Sequence, residues 1–214
     1  MQILTLPVGA LATNCYIVSV SDGAPAIVID PGDDAHTILR VLADHSLTLE
    51  AVLLTHGHFD HFAALDALMD ATGCDFYISK ADSLMIRDGG KNFSISFFGK
   101  DIATSALPKR TVADGDVLTL AGFDVEVMET PGHSLGSVCY RIDDVLFSGD
   151  TLFQGACGRV DGYSSSPRSL LQSLARIRKI EDNLTICPGH GEFTTLDEEK
   201  QNNMYMKLKH VIND

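Results

Sequence analysis

The sequence predicts an α/β protein, on three observations. Apolar segments of strand character alternate with segments of helical periodicity through the first half, and this order favours parallel pairing of strands. Apolar runs of the same kind return after residue 116 and end in glycine and polar side chains. Hydrophobic residues make up 45% of the 214-residue chain, which is enough to fill a core. Because no stretch has the composition of a linker, we predict one domain over residues 1–214.

The first half carries strand signals interrupted by two helices. Asp22-Gly23 predicts a hairpin turn between the second and third strands. The first helix follows the aspartates at 33–34, either of which can cap it, and runs to about Asp44. Gly73 can end the second helix. Strands are predicted at 3–8, 15–20, 26–29 and 51–54.

The segment from Asp82 to Arg110 differs from its surroundings, because it contains several phenylalanines and no sustained period. Long segments without regular structure are uncommon in compact domains unless they serve binding. We therefore interpret this segment as a long excursion. It is either a lid over a binding site or a surface insertion packed by its own phenylalanines.

In the second half, strands dominate. A helix is predicted from Ser166-Pro167, with a buried stripe that ends at Ile177. A C-terminal helix is predicted from about Asp197, with Met204, Leu208 and Val211 facing inward. Strands are predicted at 117–120, 125–128, 138–142, 145–147 and 184–187.

Composition limits the partners and the location. The formal net charge of −13 argues against nucleic acid or an anionic membrane as the main partner, because both require a basic face. The five cysteines are odd in number and show no C-x-x-C spacing, which indicates buried free thiols in a reducing compartment. The N-terminus lacks the features of a signal peptide, and no run approaches membrane-spanning length. We therefore expect a soluble, cytoplasmic protein; nothing in the sequence indicates its oligomeric state.

A cluster of metal-binding side chains follows the strand at 51–54. His56 and His58 are two apart along an extended backbone, so both can reach one ion, whereas Asp60 and His61 face a different direction and can serve a second. Imidazole and carboxylate are ligands for zinc, with iron or manganese as alternatives. A polar turn satisfied by backbone or solvent is the competing interpretation for any single histidine, but four such residues within six positions favour metal.

Three more apolar runs end in the same way, with glycine and a ligand-type side chain. They lead to His133, Asp150 and His190. If these strands share a direction, their ends meet at one edge of a sheet, where open α/β sheets place their sites. The remaining histidines, His36, His45 and His210, lie on predicted helices, where we expect them to be solvated.

These residues resemble the metallo-β-lactamase superfamily in its complete seven-ligand form. The resemblance covers nearly the whole chain, and its later motifs look like the hydroxyacylglutathione hydrolases, or glyoxalase II enzymes, of the short single-domain bacterial type. Persulfide dioxygenases share much of the pattern. The motifs are His56-x-His58-x-Asp60-His61, His133, Asp150 and His190, with Asn14-Cys15-Tyr16, Ile29-Asp30-Pro31-Gly32, Gly149-Asp150-Thr151-Leu152-Phe153 and Gly158-Arg159-x-Asp161.

The resemblance implies a four-layer αβ/βα sandwich with two divalent metal ions at one edge of two packed sheets. Zinc is the expected metal. One ion would be bound by His56, His58 and His133, and the other by Asp60, His61 and His190. Asp150 would bridge the two ions.

The resemblance also implies chemistry, in which the metals supply hydroxide as the nucleophile that attacks a small thioester such as S-2-hydroxyacylglutathione. Asp60 would orient the nucleophile and Asp30 could fix the imidazoles. Arg159 would bind the anionic end of a glutathione-like substrate, as a basic residue does there in two-domain glyoxalases. Those enzymes carry a tyrosine at the position of Asp161, and they have a helical domain for which the tail after His190 is too short.

These departures leave other substrates open, among them another small ester or a lactone. The nearest alternative is a persulfide dioxygenase with a single iron on His56, His133 and Asp150. A nuclease of the same superfamily is disfavoured by the charge of the chain. A binding module without activity would be expected to have lost ligands, and this chain retains all seven.

Overall fold

The computed structural model describes residues 1–207, and within them most strands belong to two six-stranded sheets. In the first sheet the strands follow chain order. The first two pairings are antiparallel and the other three are parallel. The antiparallel pair β2-β3 and the parallel pair β3-β4 agree with the predicted order of strands and helices. The strands are β1 (Gln2–Val8), β2 (Thr13–Ser19), β3 (Pro25–Ile29), β4 (Thr48–Leu53), β5 (Asp75–Ser79) and β6 (Arg110–Val112).

The second sheet is built by the second half of the chain. Its strands are β7 (Val117–Leu120), β8 (Phe123–Glu129), β9 (Val138–Ile142), β10 (Val145–Gly149), β13 (Thr185–Pro188) and β14 (Thr194–Thr195). The spatial order is β14-β13-β10-β9-β8-β7, and β10 and β13 run parallel. A separate small hairpin joins β11 (Leu152–Phe153) and β12 (Ala156–Cys157).

The helices cover the outer faces of the two sheets. They are α1 (Ala35–Asp44), α2 (Leu65–Thr72), α3 (Ser94–Phe98), α4 (Pro167–Ile177), α5 (Leu196–Asn202) and α6 (Met204–Lys207), with short 3-10 helices at Phe59–His61 and Asp82–Arg87. Alternate residues of each strand face opposite sides, so Val28 of β3 packs with α1 and α2 while its neighbour Ile27 packs between the sheets. Leu146 of β10 packs with α4 on the far side. The layers are therefore helix, sheet, sheet, helix, and the predicted four-layer sandwich is confirmed.

Two predictions about the helices are wrong. Asp34 occupies the N-cap position of α1, but its backbone has a φ of 54° and its side chain makes no capping hydrogen bond. Instead, its carboxylate accepts a hydrogen bond from the Gly9 N–H at 3.0 Å. The predicted C-terminal helix is broken at Asn203, which separates α5 from α6, and Met204 is 66% exposed, so it does not face inward.

Met206 takes the inward position in place of Met204. The predicted inward residues Leu208 and Val211 lie outside the described residues. Sequence analysis also missed β5, β6 and the three two-residue strands.

The phenylalanines of the segment from 82 to 110 pack on one another and on Phe59, and Phe93 also packs on His58 at 4.8 Å, so both interpretations of the segment stay open. The rings of Phe93 and Phe97 are edge to face with centroids 6.2 Å apart, and Phe98 packs on Phe59 at 5.3 Å. All five cysteines, which lie within the described residues, are free. Nowhere in residues 1–207 is a helix both long and apolar enough to cross a membrane.

Candidate metal centre

The predicted ligands lie where four strands from both sheets end. β4 of the first sheet leads into the segment from His56 to His61. In the second sheet, β8, β10 and β13 run in the same direction and lead to His133, Asp150 and His190. The site therefore lies at the seam between the sheets and draws side chains from each of them.

The first group of ligands consists of three buried histidines. Nδ1 of His58 lies 3.0 Å from Nε2 of His56 and 2.9 Å from Nε2 of His133. The three side chains form one of the groups in the described chain that could hold a metal ion. Nitrogens this close to one another all point at the same small volume.

The second group consists of Asp60, His61 and His190. Oδ2 of Asp60 lies 3.5 Å from Nε2 of His61 and 3.3 Å from Nε2 of His190. These three side chains also form a group that could hold a metal ion. His190 is the most exposed of them, because its side chain faces the mouth of the site.

Asp150 lies between the two groups. Its Oδ1 is 3.4 Å from Nε2 of His61, and its Oδ2 is 3.4 Å from Nε2 of His133. Oδ2 is also 3.8 Å from Nε2 of His190. A carboxylate that faces both groups has the position that a bridging ligand requires.

The donor set fits two divalent ions. Two buried atoms that face the ligand groups, Nε2 of His61 and Oδ1 of Asp150, have no hydrogen-bond partner among the described residues. Buried polar atoms are normally paired, and an exception calls for a reason such as a bound ion. Imidazole nitrogens and carboxylate oxygens bind zinc, iron or manganese, so these residues could hold any of the three metals.

A buried carboxylate fixes the orientation of two imidazoles. Asp30 is 2% exposed, and its Oδ2 lies 2.8 Å from Nδ1 of His61. It also accepts hydrogen bonds from the N–H and the hydroxyl of Thr55, and the Thr55 hydroxyl lies 3.1 Å from Nδ1 of His56. Such contacts hold a ligand ring in one tautomer and direction. Asp30 therefore lies beside two of the candidate ligands, where the resemblance implied.

One residue of each group, His133 and Asp60, also makes a hydrogen bond to a residue outside the groups. Nδ1 of His133 lies 2.9 Å from the backbone oxygen of Arg159, and the Thr13 hydroxyl donates to Asp60 Oδ2 at 3.0 Å. Gly189 permits the close approach of the last strand, because a Cβ there would overlap Asp150 Oδ1 and lie 2.8 Å from His61 Cε1. The Pro-Gly-His sequence therefore needs its glycine for packing beside the ligands.

The histidines of the site differ in their pKa values. Burial and the neighbouring imidazoles lower the pKa values of His56 and His58, so both rings are neutral. Burial acts in the same direction on His61, but Asp60, Asp150 and Asp30 outweigh it and raise the pKa of His61 to about 10. Burial raises the pKa of Asp60, but His61 and His190 outweigh burial and lower this pKa well below its usual value, so the carboxylate is ionised.

Metal uptake by the second group is expected to release a proton. His61 carries its proton at pH 8 in the metal-free protein, and a metal can bind Nε2 only after that proton leaves. Calorimetric titration with zinc in buffers of different ionisation enthalpy should show about one proton released at pH 8 for this position. Asp30→Asn removes one of the charges that hold the proton and should reduce the release. Unchanged release in this variant would contradict the assigned cause.

A cavity of about 350 Å³ opens above the two groups. Its walls are mostly apolar, and Arg159 is the one lysine or arginine among the described residues that line it. The guanidinium of Arg159 stacks on Phe93 at 5.3 Å and makes a bidentate ion pair with Asp161, at 2.6 and 2.9 Å. The lining residues are Leu11, His58, Phe59, Asp60, Phe93, Phe97, His133, Asp150, Phe153, Arg159 and His190.

A model of the metallo-beta-lactamase superfamily matches residues 8–190, and the chain belongs to this superfamily. Protein Mb2612c of Mycobacterium bovis is 37% identical, over 97% of this chain and 98% of its own length. The hydroxyacylglutathione hydrolase GloC of Haemophilus influenzae is 32% identical, over 98% of this chain and 100% of its own length. A hydrolase of this superfamily is the class of enzyme that the relatives support.

Solved structures confirm the fold. The B3 metallo-beta-lactamase BLEG-1 superposes with a TM-score of 0.91 at 34% identity, covering 96% of this chain and 99% of its own. TTHA1623 in a di-iron-bound form superposes with a TM-score of 0.83 at 33% identity, covering 94% of this chain and 99% of its own. A chain with this fold and similar sequence can therefore hold two iron ions.

Sequence analysis missed several residues around the ligands. Thr13 supports Asp60, and Phe93 and Phe153 form walls of the cavity. Phe93 belongs to the segment whose role was left open, and its φ of 72° marks it as a constrained position. Its approach to the site depends on how that segment folds, which no local pattern indicates.

Proposed function

We propose that the protein is a metal-dependent hydrolase of small thioesters such as S-2-hydroxyacylglutathione. One observation carries the proposal: two groups of candidate ligands, with Asp150 facing both, lie at a cavity large enough for a small acyl thioester. The similarity to GloC supports the same substrate class. All seven proposed ligands come from the pattern that the sequence predicted.

Two divalent ions in these groups would lower the pKa of a shared water toward neutrality and polarise the scissile carbonyl. Side chains of the protein position the water and the substrate. Asp60 is ionised, lies at the cavity floor and accepts a hydrogen bond from Thr13, so it can orient a water through its carboxylate. The apolar wall formed by Phe59, Phe93 and Phe97 would reduce the contact of a bound substrate with water, which would strengthen electrostatic interactions at the reacting carbon. A thiolate leaves readily, so no general acid is needed.

A persulfide dioxygenase with one iron is the second candidate. TTHA1623 in its di-iron-bound form supports iron as a metal for this fold, with two ions in that protein and not one. His56 and His133 belong to one ligand group, and Oδ2 of Asp150 lies 3.4 Å from His133. These three side chains are the ones that a single iron would use.

The test is a substrate panel on protein of known metal content. The panel contains an acyl-glutathione, a neutral acyl thioester, a lactone, a cephalosporin and glutathione persulfide, the last with oxygen consumption as the readout. Two zinc ions per chain with thioester turnover would support the proposal. Oxygen consumption with one iron and no thioester turnover would overturn it. His133→Ala should lower turnover strongly, and His36→Ala, which replaces an exposed histidine of α1, should leave it unchanged.

Arg159 is proposed to bind a carboxylate of the substrate remote from the thioester. Its partner Asp161 is exposed, and an exposed ion pair contributes only about 0 to 1 kcal/mol, so a substrate carboxylate can replace it. Arg159→Ala should raise KM for an acyl-glutathione by roughly 5- to 150-fold, or about 1 to 3 kcal/mol, and leave kcat nearly unchanged. Asp161→Asn should lower that KM by up to about fivefold.

Steady-state kinetics with two substrates separate binding from catalysis. A neutral thioester without the carboxylate serves as the control, and neither variant should change its KM. Equal losses on both substrates, or a fall in kcat at constant KM, would mean that Arg159 supports the structure or the reaction and does not recognise the substrate.

A further inference from the structure

A second buried carboxylate, Asp82, lies behind the metal ligands and outside the cavity lining. It is 1% exposed and begins the 3-10 helix that follows β5. It belongs to none of the ligand groups found in the described chain, and the chemistry proposed above does not use it. A fully buried aspartate requires several donors to offset its lost hydration, so its partners indicate its role.

Asp82 joins the two segments that carry the first ligand group. Its Oδ2 accepts hydrogen bonds from the Gly57 N–H at 2.9 Å and from the Ser134 hydroxyl at 2.6 Å. Its Oδ1 accepts from the Gly136 N–H at 2.9 Å. Gly57 lies between His56 and His58, and Ser134 directly follows His133. One carboxylate therefore connects segments that come from different sheets.

Both segments have glycine where they meet this carboxylate. A Cβ at Gly136 would lie 2.5 Å from Oδ1 of Asp82, and a Cβ at Gly57 would lie 3.0 Å from the Asp82 backbone oxygen. Any other residue at Gly136 would separate the carboxylate from its backbone donor. Ser137 completes the arrangement, since its hydroxyl accepts from the Ser134 N–H at 3.0 Å.

We propose that Asp82 is a positioning residue that sets the separation of His58 and His133, and so determines the metal affinity of the first ligand group. The proposal rests on the two metal positions of the proposed function but not on its substrate. Charge-assisted hydrogen bonds to backbone N–H groups are short and directional, so they fix both segments relative to one carboxylate. The second group has a different support, because Asp60 contacts Thr13 and His61 contacts Asp30.

The variant Asp82→Asn tests this role with little change of shape. An amide can accept at only one of its two ends, so its NH₂ group must face at least one of the present donors. Removing a contact that positions a ligand typically weakens metal binding by 10- to 100-fold. A purely structural aspartate would lower the melting temperature without any preference between the two metal positions.

Measuring Asp82→Asn in two ligand variants shows which of the two metal positions the substitution weakens. His190→Ala removes a ligand of the second group and keeps the first, whereas His133→Ala keeps the second group. Zinc affinity is measured in each background by competition with a chromophoric chelator. Asp82→Asn should raise the Kd for zinc by about 10- to 100-fold in the His190→Ala background and by less than about threefold in the His133→Ala background. Leu42→Ala, in the core beneath α1, is the control for lost stability and should change neither Kd.

Equal weakening in both backgrounds, or none in either, would overturn the proposal. If Asp82→Asn does not fold, Ser134→Ala removes one of the donors, keeps the carboxylate, and should weaken only the first group. Wild-type protein that binds no zinc would instead contradict the proposed function. The two failures are therefore distinguishable.

Discussion

Asp150→Ala is expected to cause the largest loss of activity of any single ligand substitution. Asp150 faces both ligand groups, within 3.4 Å of His61 and of His133. Without it, two cations would lie close together with less compensating charge, so both would bind more weakly. We expect kcat/KM to fall by at least about 10³-fold, which corresponds to about 4 kcal/mol. Steady-state kinetics and metal analysis of the purified variant measure the two effects.

Asp144→Ala is the matched control, because Asp144 is an exposed aspartate in the turn before β10. It should keep both ions and full turnover. If Asp150→Ala also kept both ions and turned over at near-normal rate, Asp150 would have no bridging role.

Removal of the metals is expected to lower stability strongly. Ions that bind only the folded state stabilise it by about 2.7 kcal/mol at 100 times Kd and about 4.1 kcal/mol at 1,000 times Kd. For a chain of this size we expect the melting temperature to fall by roughly 6 to 16 °C on chelation. Calorimetry of the loaded and the stripped protein measures the change, and re-addition of zinc should reverse it. Equal melting temperatures would show that the ions contribute nothing to the fold.

The stripped protein should be most stable near pH 6.5. Below about pH 6.5 the unfolded chain protonates His56 and His58, whose folded pKa values are lowered, so stability falls as pH falls. Above this pH the folded protein keeps a proton on His61, whose pKa is raised to about 10, so stability falls as pH rises toward 10. Urea unfolding from pH 5 to 9 tests both slopes. A stability that rises steadily to pH 9 would contradict the raised pKa of His61.

Much of the fold could be predicted because its signals are local. The strand at 138–142 was predicted with the bounds that the structure has, and the hairpin at Asp22-Gly23 joins β2 to β3 in antiparallel register. β14 could not be recognised, since two residues have no period. The prediction that Asp34 caps α1 was wrong because the capping preference assumes an extended backbone at the capping residue. The positive φ of Asp34 turns its side chain toward Gly9.

The ligands were also predicted, because histidines and aspartates after apolar runs form a dense pattern. Their metal-binding role stays a prediction. The contacts that hold them were predicted in part, since Asp30 was identified and Thr13 and Asp82 were not. Asp82 looks like an ordinary polar residue after a strand. Its partners Gly57 and Ser134 lie far from it in the sequence, and only the folded chain brings them together.

Each ligand group draws side chains from both sheets, and this has a consequence for folding kinetics. His58 and His133 are 75 residues apart, so neither group exists as a tight site until the two halves have docked. Interactions that form after the transition state slow unfolding and leave the folding rate nearly unchanged. During synthesis, the second group also waits for His190 to be made. Bound ions would therefore set how long the native protein lasts, while the rate at which it folds would depend on the sheets alone.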